Sequence, residues 1–182
     1  MIFIDIARLL IETVAALLGV TLLLRAFMNF IGMPGRNPFA QFVLALTDWL
    51  VRPLRRVVPS AGRVDTASLL AAYIIALLML ILTLLVIGAA STGWSWTQLL
   101  LAAAVQVLRW SLYMVFFLVL LHVILSWVNP YAPVAPGIAL MVRPFLVPFQ
   151  EIIPLVGGVD LSPIALIVIV QILLLVVNSS GF

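Results

Sequence analysis

Residues 47–68 read TDWLVRPLRRVVPSAGRVDTAS, and residues 142–163 read VRPFLVPFQEIIPLVGGVDLSP. Aligned without a gap, at an offset of 95 positions, Pro53 falls on Pro148, Pro59 on Pro154, Gly62 on Gly157, Val64 on Val159 and Asp65 on Asp160. Apolar positions agree as well, Leu54 with Phe149 and Val58 with Ile153. A long apolar run precedes each stretch and another follows it. The chain therefore reads as one unit, helix–proline-rich linker–helix, used twice: a first repeat over residues 1–90 and a second over 95–182.

The composition says what surrounds this unit. Apolar residues make up 66% of the chain, charged ones 8%, and the mean hydropathy is +1.36. A water-soluble domain of this length would leave large apolar patches exposed and aggregate. The expected fold class is an all-α membrane protein with four transmembrane helices, arranged as two parallel repeats. Cysteine is absent, which excludes disulfides and thiolate chemistry. All nine basic residues are arginine, so Schiff-base chemistry is excluded too, while bidentate contact with carboxylate or lipid phosphate is favoured. The basic pI comes from few charges that are not gathered on a polar domain, and no nucleic-acid partner is expected. At the N-terminus Asp5 and Glu12 interrupt the apolar run and no basic leader precedes it. It reads as the start of a retained helix rather than a cleaved signal.

A helix needs about 20 apolar residues to cross about 30 Å of hydrocarbon. Four segments qualify, near residues 6–30, 67–87, 108–128 and 163–177. In the first, Asp5, Arg8 and Glu12 share a helical face and can pair. The last is short and should stand nearly upright. Ahead of the third, Ser95 and Gln98 have capping-box spacing, and residues 97–107 either lie at the surface or extend the span. Tryptophans at 49, 94, 96, 110 and 127 fall where an aromatic belt is expected, with Trp110 and Trp127 bracketing the third span.

The linkers, 38–65 and 130–160, are not ordinary loops. Phe39, Phe42, Val43, Leu46, Trp49 and Leu50 fall on one helical face, and Gln41, Ala45, Asp48 and Arg52 on the other. This predicts an amphipathic helix lying in the interface, ended by Pro53. The second linker is more uniformly apolar, and Pro144 and Pro148 are expected to break it sooner. It should tuck under the helices, as an interfacial or a shallow re-entrant piece. Pro59 and Pro154 are the further linker breakers. Arginines set the orientation: Arg36, Arg52, Arg55, Arg56, Arg63 and Arg143 lie in the linkers, against Arg8 and Arg109 on the other side. Both linkers should therefore face the cytoplasm and both termini the periplasm of a bacterial inner membrane.

The motifs resemble those of the YggT family of small bacterial and plastid membrane proteins. Arg25-Ala26, Asn37-Pro38, Pro53-x-Arg55-Arg56-x-x-Pro59, Gly62 and Asp65 carry the resemblance in the first copy. Ser126-Trp127-Val128, Asn129-Pro130, Pro144, Pro148, Pro154, Gly157 and Asp160-Leu161-Ser162-Pro163 carry it in the second. The chain departs at Gln150-Glu151, where the double arginine would sit, and at His122, where the pre-linker arginine would be. The resemblance implies links to envelope maintenance, cell division, osmotic tolerance and, in plastids, haem attachment to a cytochrome, with no common activity.

The candidate structural, lipid or partner contacts are Arg25, Arg52, Arg55, Arg56, Asp65, His122 and Asp160. Asp65 and Asp160 each precede a span, as N-caps, as partners of Arg25 and His122 respectively, or as both. Arg25 snorkels, sits in a buried pair or donates to linker carbonyls. Arg55 and Arg56 either bind anionic headgroups or only mark topology. His122, the single histidine, reads as a core residue rather than a metal or haem ligand. There is no nucleophile–base set, metal cluster or phosphate loop, so no enzyme, catalytic residue, metal or cofactor is expected. The expected role is a scaffold or assembly factor. Its partners would be the bilayer with its anionic lipids, other membrane proteins and further copies of the chain. An oligomeric ion channel or transport component, linked to potassium or osmotic stress, is the alternative.

Overall fold

The computed structural model describes residues 2–88, 94–153 and 160–179. Six α-helices follow one another: α1 (Ile2–Ile31), α2 (Pro38–Leu54), α3 (Thr66–Val86), α4 (Trp96–Val128), α5 (Ala135–Gln150) and α6 (Ser162–Ser179). No strand occurs among the described residues. Four of the helices, α1, α3, α4 and α6, are long and apolar enough to cross a membrane. Their outward side chains stay apolar, as Leu9, Leu17, Leu82, Phe117, Ile172 and Leu175 illustrate. Only a hydrocarbon solvent makes such a surface stable.

Residues 97–107 prove to be the first turns of α4, which runs unbroken for 33 residues. Its start is fixed by the Ser95–Gln98 capping box: Ser95 Oγ accepts from Gln98 N at 3.3 Å, and Ser95 N donates to Gln98 Oε1 at 2.9 Å. The longer helix also moves Trp110 from a boundary to mid-helix. It is buried against α1, not part of an aromatic belt. Gly19 makes room for it, since a Cβ there would lie 2.2 Å from the indole ring. Ala15 and Gly19 thus form a notch of small residues on α1. The broadest helix contact is α1 on α3, where Ala67, Ala71, Ala72 and Ala76 are buried.

Both linkers contain a helix. Asn37 caps α2 by accepting from Phe39 N at 2.9 Å, and Pro38 occupies the first turn, where its missing N–H costs nothing. Pro53 does not end α2. It sits in the last turn, and Arg55 N still donates to Val51 O at 2.9 Å beyond it. Pro144 and Pro148 do not break α5 either, which passes through both. Each proline frees one carbonyl, that of Leu140 or Pro144. Leu140, Pro144 and Pro148 are all on the exposed side, while Ile138, Met141, Val142 and Leu146 hold the other side in the core. Packing of that buried side outweighs the two missing hydrogen bonds. Pro59 lies in the connection to α3, and Pro154 lies outside the described residues.

The buried face of α2 is Ala40, Val43, Thr47 and Val51, not the most apolar face. Phe42, Leu46 and Trp49 remain exposed. A tight turn over residues 61–64 then returns the chain to α3. Ala61 and Val64 exchange backbone hydrogen bonds of 3.1 and 3.0 Å, and Gly62 takes the φ of +60° that a side chain would resist. Across the molecule, Phe27 and Phe145 meet with ring centroids 5.3 Å apart.

Candidate functional site

The connection through Gly62 delivers Asp65 to the C-terminal part of α1, beside the end of α2. Its side chain is fully buried, and an isolated buried carboxylate would cost several kcal/mol. Partners converge on it instead. Oδ2 accepts from Arg55 Nη2 at 2.5 Å and from Ser68 Oγ at 2.7 Å. Oδ1 accepts from Ser68 N at 3.3 Å, which caps α3. Burial alone would raise the Asp65 carboxyl; the hydrogen bonds from Arg55 and Ser68 together outweigh it and hold the group below the usual carboxylate range.

Arg25 enters the same cluster from α1, with only 4% of its side chain exposed. Nη1 donates to Thr47 Oγ1 and to Asp48 Oδ1, both at 2.8 Å. Thr47 passes the chain on to Val43 O at 2.7 Å. Nε lies 3.7 Å from Asp65 Oδ2, an ion pair without a hydrogen bond. Arg25 therefore does not snorkel, and its partners are not linker carbonyls. It clamps α2 to α1, with Asp65 completing the charge balance. Arg52, largely exposed, closes on Asp48 at 2.6 Å from outside. Three guanidinium groups thus meet two carboxylates. Arg56 is exposed and makes no ion pair among the described residues.

The matching corner of the second half is built differently. Asp160 Oδ1 accepts from Ser162 N at 2.9 Å and Oδ2 from Gln150 Nε2 at 2.7 Å. Leu161 O is the first carbonyl to accept from the helix, from Ile164 N and Ala165 N, so Asp160 lies one residue before the cap position expected for it. Burial would raise its carboxyl; bonding from Ser162 and Gln150, with a smaller contribution from His122, holds it below the usual range. His122 makes no hydrogen bond or ion pair with Asp160, although the two line one pocket of about 410 Å³ together with Ser126 and Trp127. At the corner of Arg25 and Asp65 the free space is divided in two, about 160 Å³ beside Arg25 and about 230 Å³ on the side of Ala26, Phe30 and Leu69.

Thr47, Asp48 and Ser68 belong to the cluster but are not conspicuous in the sequence. The available signal was spacing: on α2, Thr47 falls on the stripe of Ala40, Val43 and Val51 with Asp48 beside it, and on α3, Ser68 stands three residues after the capping Asp65.

The CCB3/YggT family model matches residues 4–86 and again residues 101–180. The chain belongs to this family. YggT of Escherichia coli K12 is 33% identical over 165 residues, spanning 90% of this chain and 85% of the relative. A protein of Pseudomonas aeruginosa PAO1 is 36% identical over 173 residues, 93% of this chain and 87% of the relative. One from Vibrio alginolyticus is 30% identical over 163 residues, 89% and 88% respectively. No solved structure matches. In this CCB3/YggT member, the two matched segments contain the Arg25–Asp65 cluster and the His122–Asp160 pocket respectively.

Proposed function

We propose that the chain is a non-catalytic scaffold or assembly factor of the bacterial inner membrane, acting in envelope maintenance, cell division or the biogenesis of membrane complexes. The observation that carries this reading is the clamp on α2. Arg25 and Asp48 hold that helix against the spans, and its outer side then presents Phe42, Leu46 and Trp49 beside Arg52 and Arg56. A rigid surface of aromatic and arginine side chains is what a partner membrane protein can grip. The excess of arginine in the linkers supports placing α2 and α5 on the cytoplasmic side, with the chain ends on the other. Arg55 is engaged by Asp65, so Arg56 is the better placed of the pair to meet anionic headgroups.

Photo-crosslinking from positions 42 and 49 in native membranes tests the proposal. Defined protein adducts, lost when Arg25→Met releases α2, are the expected outcome. Absence of adducts at both positions, together with potassium flux in proteoliposomes under osmotic load, would replace the scaffold with a conduction role.

A further inference from the structure

The first half supplies its buried aspartate with guanidinium groups of its own, and the second half does not. Around Asp160 no basic side chain lies within 4 Å among the described residues; its bonds come from the Gln150 amide and the Ser162 main-chain N–H, and the Ser162 hydroxyl is the one further neutral donor that stabilises it. A carboxylate has about four acceptor positions, and the two bonds leave room for more. Where the first half carries Arg25 the second carries the shorter His122. The space around Asp65 is divided into pockets of about 160 and 230 Å³, whereas the space beside Asp160 is one pocket of about 410 Å³. His122 and Ser126 add polar atoms to that space, and the largely exposed Trp127 adds an aromatic ring. A carboxylate, an indole and neutral hydrogen-bond partners form the usual chemistry for holding a cation.

We propose that this pocket binds a primary ammonium group, that of an aminophospholipid headgroup, at the place where the first half carries its own cation. The ammonium donates to Asp160, and the Trp127 ring covers it. A lipid is the source because the pocket lies between the end of α4 and the start of α6. Its rim includes Ile164, an exposed apolar residue of a spanning helix, so acyl chains continue along that surface.

Nanodiscs containing equal phosphatidylethanolamine, phosphatidylglycerol and phosphatidylcholine, with native mass spectrometry of the released full chain, test this. Phosphatidylethanolamine should be retained over each of the others by about fivefold to tenfold, the worth of one charge-assisted hydrogen bond. Asp160→Asn should abolish the preference. His122→Arg should abolish it as well, by filling the pocket from within, and Glu151→Gln should leave it intact. Helicity and gel filtration confirm that each variant is folded, and His122→Arg keeps the test decisive should Asp160→Asn fail to fold. An undiminished preference in Asp160→Asn or in His122→Arg overturns the proposal, as does equal retention of phosphatidylcholine. Displacement by free ethanolamine at equal concentration would assign the site to a soluble amine, and a crosslinked arginine or lysine of another protein would assign it to a partner; either result overturns the lipid source.

Discussion

The aspartate before α3 meets two arginines and a serine, while the aspartate before α6 meets a glutamine and a main-chain N–H. Otherwise the two corners share a plan: a long apolar helix, a shorter linker helix, and an acidic residue just before a second apolar helix. The difference teaches where the molecule is held and where it is open. Burying Asp65 completely requires compensating charge, and that charge comes from α1 and from the end of α2, so three elements lock together. Asp160 is partly exposed and bonded only by neutral donors, so its elements are tied less tightly.

The largest test of that contrast is removal of the clamp. Arg25→Met leaves Asp48 and Asp65 short of a partner and should lower stability by about 3–5 kcal/mol. His122→Met should change it by less than about 1 kcal/mol. Denaturation in mixed micelles, followed by circular dichroism, measures both, and equal losses would erase the distinction. Next in size, Asp65→Asn keeps a capping oxygen but loses the ion pair, at about 1–3 kcal/mol. Asp65→Ala should cost more. Should Asp65→Asn be harmless while Asp65→Ala is not, the capping bond alone matters.

Acid titration sharpens the same point. The Asp65 carboxyl lies below its unfolded value, so the folded state binds its proton less readily than the unfolded state does. Its contribution is complete above about pH 5, beyond the unfolded pKa near 4, and is lost as pH falls through the lowered folded value. Stability measured between pH 6 and 3 should fall more steeply for the wild type than for Asp65→Asn. Parallel curves would show that Asp65 is not the group responsible. The smallest effect concerns the prolines. Pro144→Ala returns an N–H to the middle of α5 and should raise stability by about 1 kcal/mol, whereas Pro53→Ala, in the last turn of α2, should be close to neutral by thermal unfolding.

Much of this architecture could be read from the chain alone, because hydrocarbon imposes a simple length and polarity rule. The four spans fell within a few residues of their helices except α4, whose polar first turn hid its continuity. The linker helix α2 was legible as well, but its packing side was not. The apolar face of Phe42, Leu46 and Trp49 turns away from the bundle, and the side that packs includes Thr47, polar and therefore not counted as core. The prolines misled for a related reason: propensity argues for a break, and tertiary packing of Met141, Val142 and Leu146 overrides it. Arg25 and Asp65 could be named in advance. Asp48 could not be joined to them, since its partner lies 23 residues earlier and only the fold closes that distance.

The indole of Trp110 lodged at Gly19 has a mechanical meaning. It seats α4 on α1 like a stop in a notch: a slide of one turn toward the end of α1 would drive the ring into Leu22 or Leu23, whereas one turn the other way it meets the small Ala15. Carriers that alternate their access rock one bundle over its neighbour, and a stop of this kind resists that movement in one direction.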